Sequence, residues 1–244
     1  MIRFILVALF LAVFFLVSIL IYPVLYIIGK FNIRKRHILS YKIVSGAFRF
    51  IMFISGTKVE VIGFDKVPKD KPVLFVGNHR SMFDIVVNYA LLPPCMGFVA
   101  KKELSKIPFL AWWMKLVNCI FLDRKNIKEG MKAIIAGTEN LKNGISMFIF
   151  PEGTRCKVEG EMLDFKEGSL KMAEKSGSLI VPVAMNNMGA CFEDHFPKIK
   201  KTHVVVEYGD PIDMTKMDKE EKKHIGAYTR GVIKEMMDKN ATLV

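Results

Sequence analysis

The stretch FVGNHRSMFD, residues 75–84, ends an apolar run at Gly77 and then sets Asn78, His79, Arg80 and Ser81 ahead of Asp84. A histidine and an aspartate this close invite acid–base chemistry. A carboxylate on one ring nitrogen would stabilise the imidazolium and leave the other nitrogen to take a proton from a substrate hydroxyl. In an unbroken helix, positions five apart are turned from one another by about 140°, and the two side chains would not meet. With His79 in a strand-to-helix turn and Asp84 in the first helical turn, the imidazole can fold back over the carboxylate. A plainer role is open as well, because Ser81-Met82-Phe83-Asp84 fits a capping box that starts a helix.

A second stretch, FIFPEGTR at 148–155, reads as a strand stopped by Pro151, a turn through Gly153, and then Arg155. A turn of this kind can bring backbone N–H groups and a guanidinium to one phosphate, a group that bidentate arginine suits, and an ordinary turn with a solvated arginine is the plainer alternative. Neither stretch resembles a metal site. The five histidines are scattered without H-x-x-x-H spacing, and the four cysteines (Cys95, Cys119, Cys156, Cys191) form no C-x-x-C pair. No metal is expected, and the thiols read as reduced.

These residues need a scaffold that gathers them. Short apolar, β-branched runs at 59–64, 72–76, 96–100, 119–122, 146–150, 179–185 and 203–208 read as strands. Helix-like segments lie at 81–91, 103–116, 127–143 and 167–176, and a charged helix at about 216–239 closes the chain. In the third of these, Ile127, Met131, Ile134, Ile135, Thr138 and Leu141 recur at helical spacing. The alternation predicts an α/β domain around a mainly parallel sheet of about seven strands flanked by helices. Ligands of such sheets bind outside the carboxyl ends of the strands. His79 follows the second strand, Lys101 and Lys102 the third, Arg124 the fourth, and Pro151 to Arg155 the fifth. One sheet edge should collect them all.

Ahead of this domain, no charged residue stands between Arg3 and Lys30, and the stretch exceeds the roughly 20 apolar residues a membrane-spanning helix needs. It lacks the short apolar core and cleavage site of a signal peptide. Lys30, Arg34, Lys35, Arg36 and Lys42 follow, which by the positive-inside rule places the domain on the cytoplasmic face of the cell membrane. A second apolar segment, 43–56, is interrupted by Arg49 and reads as a helix lying in the interface or packed back against the first. Residues 1–57 are therefore expected to be a membrane anchor, spanning or, with Pro23 as a bend, a monotopic hairpin. Residues 58–244 are expected to be the α/β domain. The formal charge of +12 calls for an anionic partner, and with 51% apolar residues a membrane surface fits better than nucleic acid. The basic run Lys198, Lys200 and Lys201 reads as a solvated face.

Taken together, the motifs resemble the PlsC-type glycerophospholipid acyltransferases, and most closely the 1-acylglycerol-3-phosphate acyltransferases. NHRSMFD matches the family's N-H-x-x-x-x-D block and FPEGTR its block of the same sequence. KKELSKIPFLAWWMKLVNCIFLDR (101–124) is similar to the block between them, LIVPVAM (179–185) to the V-P-V strand, FKEGS (165–169) to the F-K-x-G element, and YGDPID (208–213) to the G-x-P-I segment. Two departures stand in the second block, Ala111 and Asn118 where glycines are common, and altered packing or acceptor fit, not lost chemistry, is expected there. Cys156 replaces a frequent serine.

The resemblance implies transfer of a fatty acyl group from a thioester on coenzyme A or acyl carrier protein to the free hydroxyl of lysophosphatidic acid, without a cofactor. It implies His79 as general base, Asp84 as its orienting partner, and Arg155, Arg124 and Lys101 on the acceptor's phosphate. Glu152, Gly153 and Thr154 would shape the phosphate turn, with Glu152 able to reach the glycerol. Glycerol 3-phosphate or another lysolipid as acceptor, a non-catalytic lipid binder of the same fold, and an acyl-enzyme on Cys156 are the competing readings.

Overall fold

The computed structural model describes residues 1–123 and 126–244. Among them, seven strands form one sheet: β1 (Lys58–Ile62), β2 (Val73–Gly77), β3 (Met96–Lys101), β4 (Ile120–Leu122), β5 (Ser146–Ile149), β6 (Leu179–Asn186) and β7 (His203–Tyr208). Their spatial order is β1-β7-β6-β2-β5-β3-β4. All neighbours are parallel except β6 and β7. The strands β6, β2, β5, β3 and β4 consequently end at one edge, and β2 is the central strand of the seven.

Both faces of the sheet are covered, so its central strands are apolar on both sides. Val73 and Phe75 of β2 enter one cluster with Val181 and Val183 of β6, while Leu74, Val76, Ile180 and Ala184 enter the other. The first face carries α1 (Ile2–Phe31), α2 (Ile33–Ser55), α3 (Phe83–Leu91) and α4 (Pro108–Leu116). The second carries α5 (Ile127–Lys142), α6 (Lys171–Ser176) and, after a short α7 (Lys219–Lys223), α8 (Ile225–Asn240).

Several boundaries differ from expectation for local reasons. The segment expected as one helix from 103 is a 3-10 turn, Lys102–Lys106, followed by α4, because Pro108 has no N–H to continue a helix but is suited to start one. The charged terminal helix is broken at His224 into α7 and α8. In α5, Met131 and Ile135 face outward, and the buried positions are Ala133, Thr138 and Leu141. Gly137 belongs with these: a Cβ there would lie 2.2 Å from the Met172 sulfur, so the absence of a side chain lets α6 lie against α5.

The amino-terminal helices are bound tightly to the domain. Phe4 stacks on Phe192, Phe14 and Tyr22 meet Trp113 and Trp112, and the Trp113 indole N–H donates to Ser18 Oγ at 2.7 Å. Helix α2 begins at Ile33, takes in the basic run from Arg34 to Lys42, and includes Arg49, while Lys30 lies in the last turn of α1. Arg49 interrupts the apolar pattern because it has a structural partner. Its Nε donates to the Ala90 carbonyl at 3.1 Å, while the Tyr41 hydroxyl donates to the carbonyls of Tyr89 (2.9 Å) and Leu92. A cation and a hydroxyl thus satisfy the carboxyl end of α3, where the helix dipole favours positive charge.

Candidate active site

Strand β2 delivers His79, and Asn78 fixes the delivery. The Asn78 side chain donates to the Met185 carbonyl and accepts from the Met185 N–H, both at 2.9 Å, continuing the β2–β6 pairing one residue beyond the strand. His79 Nδ1 then lies 2.7 Å from Asp84 Oδ2. The same oxygen accepts the backbone N–H groups of Arg80 (2.7 Å) and Ser81 (2.8 Å). Helix start and dyad are therefore one arrangement. The carboxylate reaches back to Ser81 as a capping residue would, and it also holds the imidazole. The reciprocal half of the expected box is shifted, since Ser81 Oγ accepts from Phe83 N–H at 3.0 Å instead of from Asp84.

Three N–H groups converge on one oxygen of this fully buried carboxyl group and fix its orientation. With Nδ1 committed to Asp84, Nε2 has no partner among the described residues and can act as proton acceptor. The ring lies flat against Phe150, centroids 4.1 Å apart and planes at 14°. That contact and the Asp84 bond set both the tilt and the rotation of the imidazole.

The turn after β5 grips the same histidine from its backbone. Glu152 Oε1 accepts the His79 N–H at 2.6 Å and Oε2 accepts the Leu163 N–H at 2.8 Å. The carboxyl is buried, and burial pushes its pKa above the ordinary value while the two N–H donors pull it back. The His79 carbonyl in turn accepts Cys156 N–H at 2.8 Å. Gly153 has φ +76, and Thr154 is exposed. The Cys156 thiol is buried and directed to the Val158 carbonyl at 3.6 Å, and the imidazole's bonded partner is Asp84.

Arg155 is not free. Its Nη1 is 2.7 Å from Glu193 Oε1, and that same oxygen accepts Met82 N–H at 2.8 Å, while Oε2 accepts the Ser81 hydroxyl. Glu193 thereby joins the loop after β2 to the loop after β5. Beside it, Asp194 pairs with Arg80, whose Nε also lies 3.4 Å from Glu159. Neither Glu193 nor Asp194 is among the residues singled out from sequence, although a signal existed. They follow β6, the next parallel strand at the same edge, and the rule that selected the earlier loops applies to this one too. Lys101 closes β3 opposite Leu122 at this edge, with its side chain exposed, and Lys102 pairs with Asp123 at 3.0 Å. Arg124 lies outside the described residues.

One of the two departures in the second block has a backbone explanation. Asn118 has φ +61, in the left-handed region that favours glycine, and asparagine is one of the few other residues that enters it readily. Ala111 is buried on α4.

A family model described as Acyltransferase matches residues 58–186. The chain belongs to the acyltransferase family. It is 31% identical over 208 residues to a 1-acyl-sn-glycerol-3-phosphate acyltransferase of Saccharomyces cerevisiae, covering 84% of this chain and 67% of that protein. To the enzyme of the same name from Borreliella burgdorferi it is 30% identical over 196 residues, covering 80% of this chain and 78% of the other. Among solved structures, the 1-acyl-sn-glycerophosphate acyltransferase PlsC of Thermotoga maritima superposes with a TM-score of 0.76 at 27% identity, covering 98% of this acyltransferase and 96% of that chain.

Proposed function

We propose that this acyltransferase moves a fatty acyl group from a thioester, on coenzyme A or acyl carrier protein, to the sn-2 hydroxyl of 1-acyl-sn-glycerol 3-phosphate, giving phosphatidic acid. The observation that carries the reading is the His79–Asp84 bridge with Nε2 unoccupied at the carboxyl edge of the sheet. An alcohol at its ordinary pKa is a weak nucleophile. As the hydroxyl oxygen attacks the thioester carbonyl, its proton passes to His79 Nε2, a contribution typically worth about 10²–10⁴-fold. Asp84 stabilises the imidazolium. When the tetrahedral intermediate collapses, the carbon–sulfur bond breaks, the thiolate takes the proton back, and the products are an ester and a free thiol. Glu152 serves as a positioning residue in this scheme, because both of its oxygens are bonded to backbone. Arg155, with Lys101 and Arg124, attracts the acceptor's phosphate, which must share or displace Glu193 on Arg155.

Residues 1–57 act as the membrane anchor and 58–244 as the catalytic domain. The contacts from Phe4 to Tyr22 run along about 27 Å of α1 at about 1.5 Å per residue. A helix crossing the bilayer over that length would drag the domain into hydrocarbon. The anchor is therefore a monotopic hairpin, with the exposed apolar side chains of α1 in one leaflet and the domain on the cytoplasmic face. The basic run after α1 supports that orientation.

The test is acceptor selectivity in mixed micelles. The full chain is given acyl-CoA or acyl-acyl carrier protein with lysophosphatidic acid, glycerol 3-phosphate or lysophosphatidylcholine. Phosphatidic acid from the first acceptor, at a kcat/KM well above the others, is expected. Preference for glycerol 3-phosphate, or no transfer to any acceptor, contradicts the reading.

A further inference from the structure

A cavity of about 350 Å³ opens at the same sheet edge, on the β3–β5 side of the histidine. Val99, Leu122, Ile134 and Ile149 give it an apolar wall, and Phe150, whose ring stacks on His79, borders it. Its polar end is formed by the Gly153 turn and Lys166. A Cβ built on Gly153 would lie 3.2 Å from Lys166 Nζ, so the ammonium rests directly against the turn. The backbone of Lys166 is tied down on either side, its N–H to the Pro151 carbonyl at 3.2 Å and its carbonyl to Ser169 N–H at 2.9 Å.

Pairing separates Lys166 from Arg155, Arg80 and Lys102, and its place in the cavity lining separates it from Lys101, which is exposed at the end of β3 and likewise unpaired among the described residues. Arg155 is engaged by Glu193, Arg80 by Asp194, and Lys102 by Asp123. Asp123, the acid among the described residues lining the cavity, is thus already committed to a cation. The Lys166 ammonium has no ion-pair or hydrogen-bond partner among the described residues. An unpaired ammonium at the polar end of an apolar cavity beside a general base fits an anionic group attached to an apolar or reacting one.

We propose that Lys166 is a substrate-binding residue, holding a phosphate of one of the two substrates at the mouth of this cavity. The inference rests on the acyl-transfer reading above. Two phosphates have the required chemistry, the monoester of the lysolipid acceptor and those of the coenzyme A or phosphopantetheine donor.

The experiment compares full-length wild type with Lys166→Met and Lys166→Arg. It measures KM for lysophosphatidic acid and for acyl-CoA separately, together with the binding of glycerol 3-phosphate and of coenzyme A by calorimetry in detergent micelles. The expected result is a rise of about 10-fold or more in one of the two KM values in Lys166→Met, with a smaller change in kcat, partial recovery in Lys166→Arg and unchanged melting. A change confined to the lysolipid arm assigns the acceptor's phosphate, and one confined to the acyl-CoA arm the donor's. KM values and probe affinities within about twofold of wild type for both substrates overturn the proposal. Should wild type transfer no acyl group, the acyl-transfer reading fails. Loss of probe binding in Lys166→Met would still uphold the site, and unchanged binding would remove it.

Discussion

Asp84→Asn separates the charge of the dyad from its geometry. Asp84 Oδ2 faces three N–H donors, on the His79 ring and on the backbones of Arg80 and Ser81. The other oxygen, Oδ1, is buried without a hydrogen-bond partner among the described residues. An asparagine must therefore put its oxygen at the Oδ2 position and its amide nitrogen where Oδ1 was. The imidazole stays oriented and the fold keeps its contacts, at a cost of about 1–3 kcal/mol for the unpaired amide. What disappears is the negative charge beside the imidazolium formed during transfer. Two unit charges about 4 Å apart attract by about 4 kcal/mol at an effective dielectric constant of about 20. At about 1.4 kcal/mol per decade of rate, this corresponds to a fall of about 10³-fold in kcat. The assay is release of free thiol from acyl-CoA at saturating lysophosphatidic acid, with thermal unfolding run alongside. KM for the lysolipid should stay within about threefold of wild type, because the phosphate contacts are untouched. A folded Asp84→Asn protein with kcat within about tenfold of wild type would refute the assignment of Asp84 as an electrostatic partner.

Glu193→Gln keeps acceptors for Met82 N–H and Arg155 but removes the anion that competes for the guanidinium. KM for lysophosphatidic acid is expected to fall by about 2–5-fold, the range of a partly exposed ion pair, and a rise instead would show that Glu193 orients Arg155 for the phosphate. Gly153→Ala places a Cβ in the left-handed region and against the Lys166 ammonium, so chemical denaturation should give a loss of about 1–2 kcal/mol or more; an unchanged midpoint would mean the turn relaxes. Glu152 is held above its ordinary pKa of 4.5 by burial, so between that value and its raised one the native state keeps a proton that the unfolded chain has lost. Stability from this group is thus greatest at low pH and declines as pH rises through that window, and the decline should vanish in Glu152→Gln when denaturation midpoints are compared from pH 4 to 7; identical pH profiles would place the titrating group elsewhere.

Much of the architecture was legible because the central strands are buried on both faces and carry unbroken β-branched runs. The β2, β3 and β6 runs were found to within a residue of their observed ends. The edge that gathers the chemistry followed from strand direction alone. What local pattern did not disclose depends on partners distant in sequence. Arg49 read as an interruption of an apolar segment because its acceptor, the Ala90 carbonyl, lies in another helix. Met131 and Ile135 fit the helical period but fall on the outer side of α5, since the stripe that packs is set by where α6 approaches Gly137. Asn118 read as a departure in side chain and proved to meet a backbone requirement. Glu193 and Lys166 stand at the starts of short 3-10 turns within loops, where no periodicity announces the direction of a side chain. The pairing of Arg155 with Glu193, which alters how a phosphate must be received, exists only in three dimensions.

The central claim is that His79 takes the acceptor's proton, and the most direct measurement is the single-turnover rate of acyl transfer to lysophosphatidic acid in His79→Ala beside wild type. The account predicts transfer by wild type and a loss of at least about 10²-fold in the folded variant, with lysolipid binding retained. Transfer by His79→Ala at the wild-type rate would contradict it and turn attention to the buried thiol of Cys156.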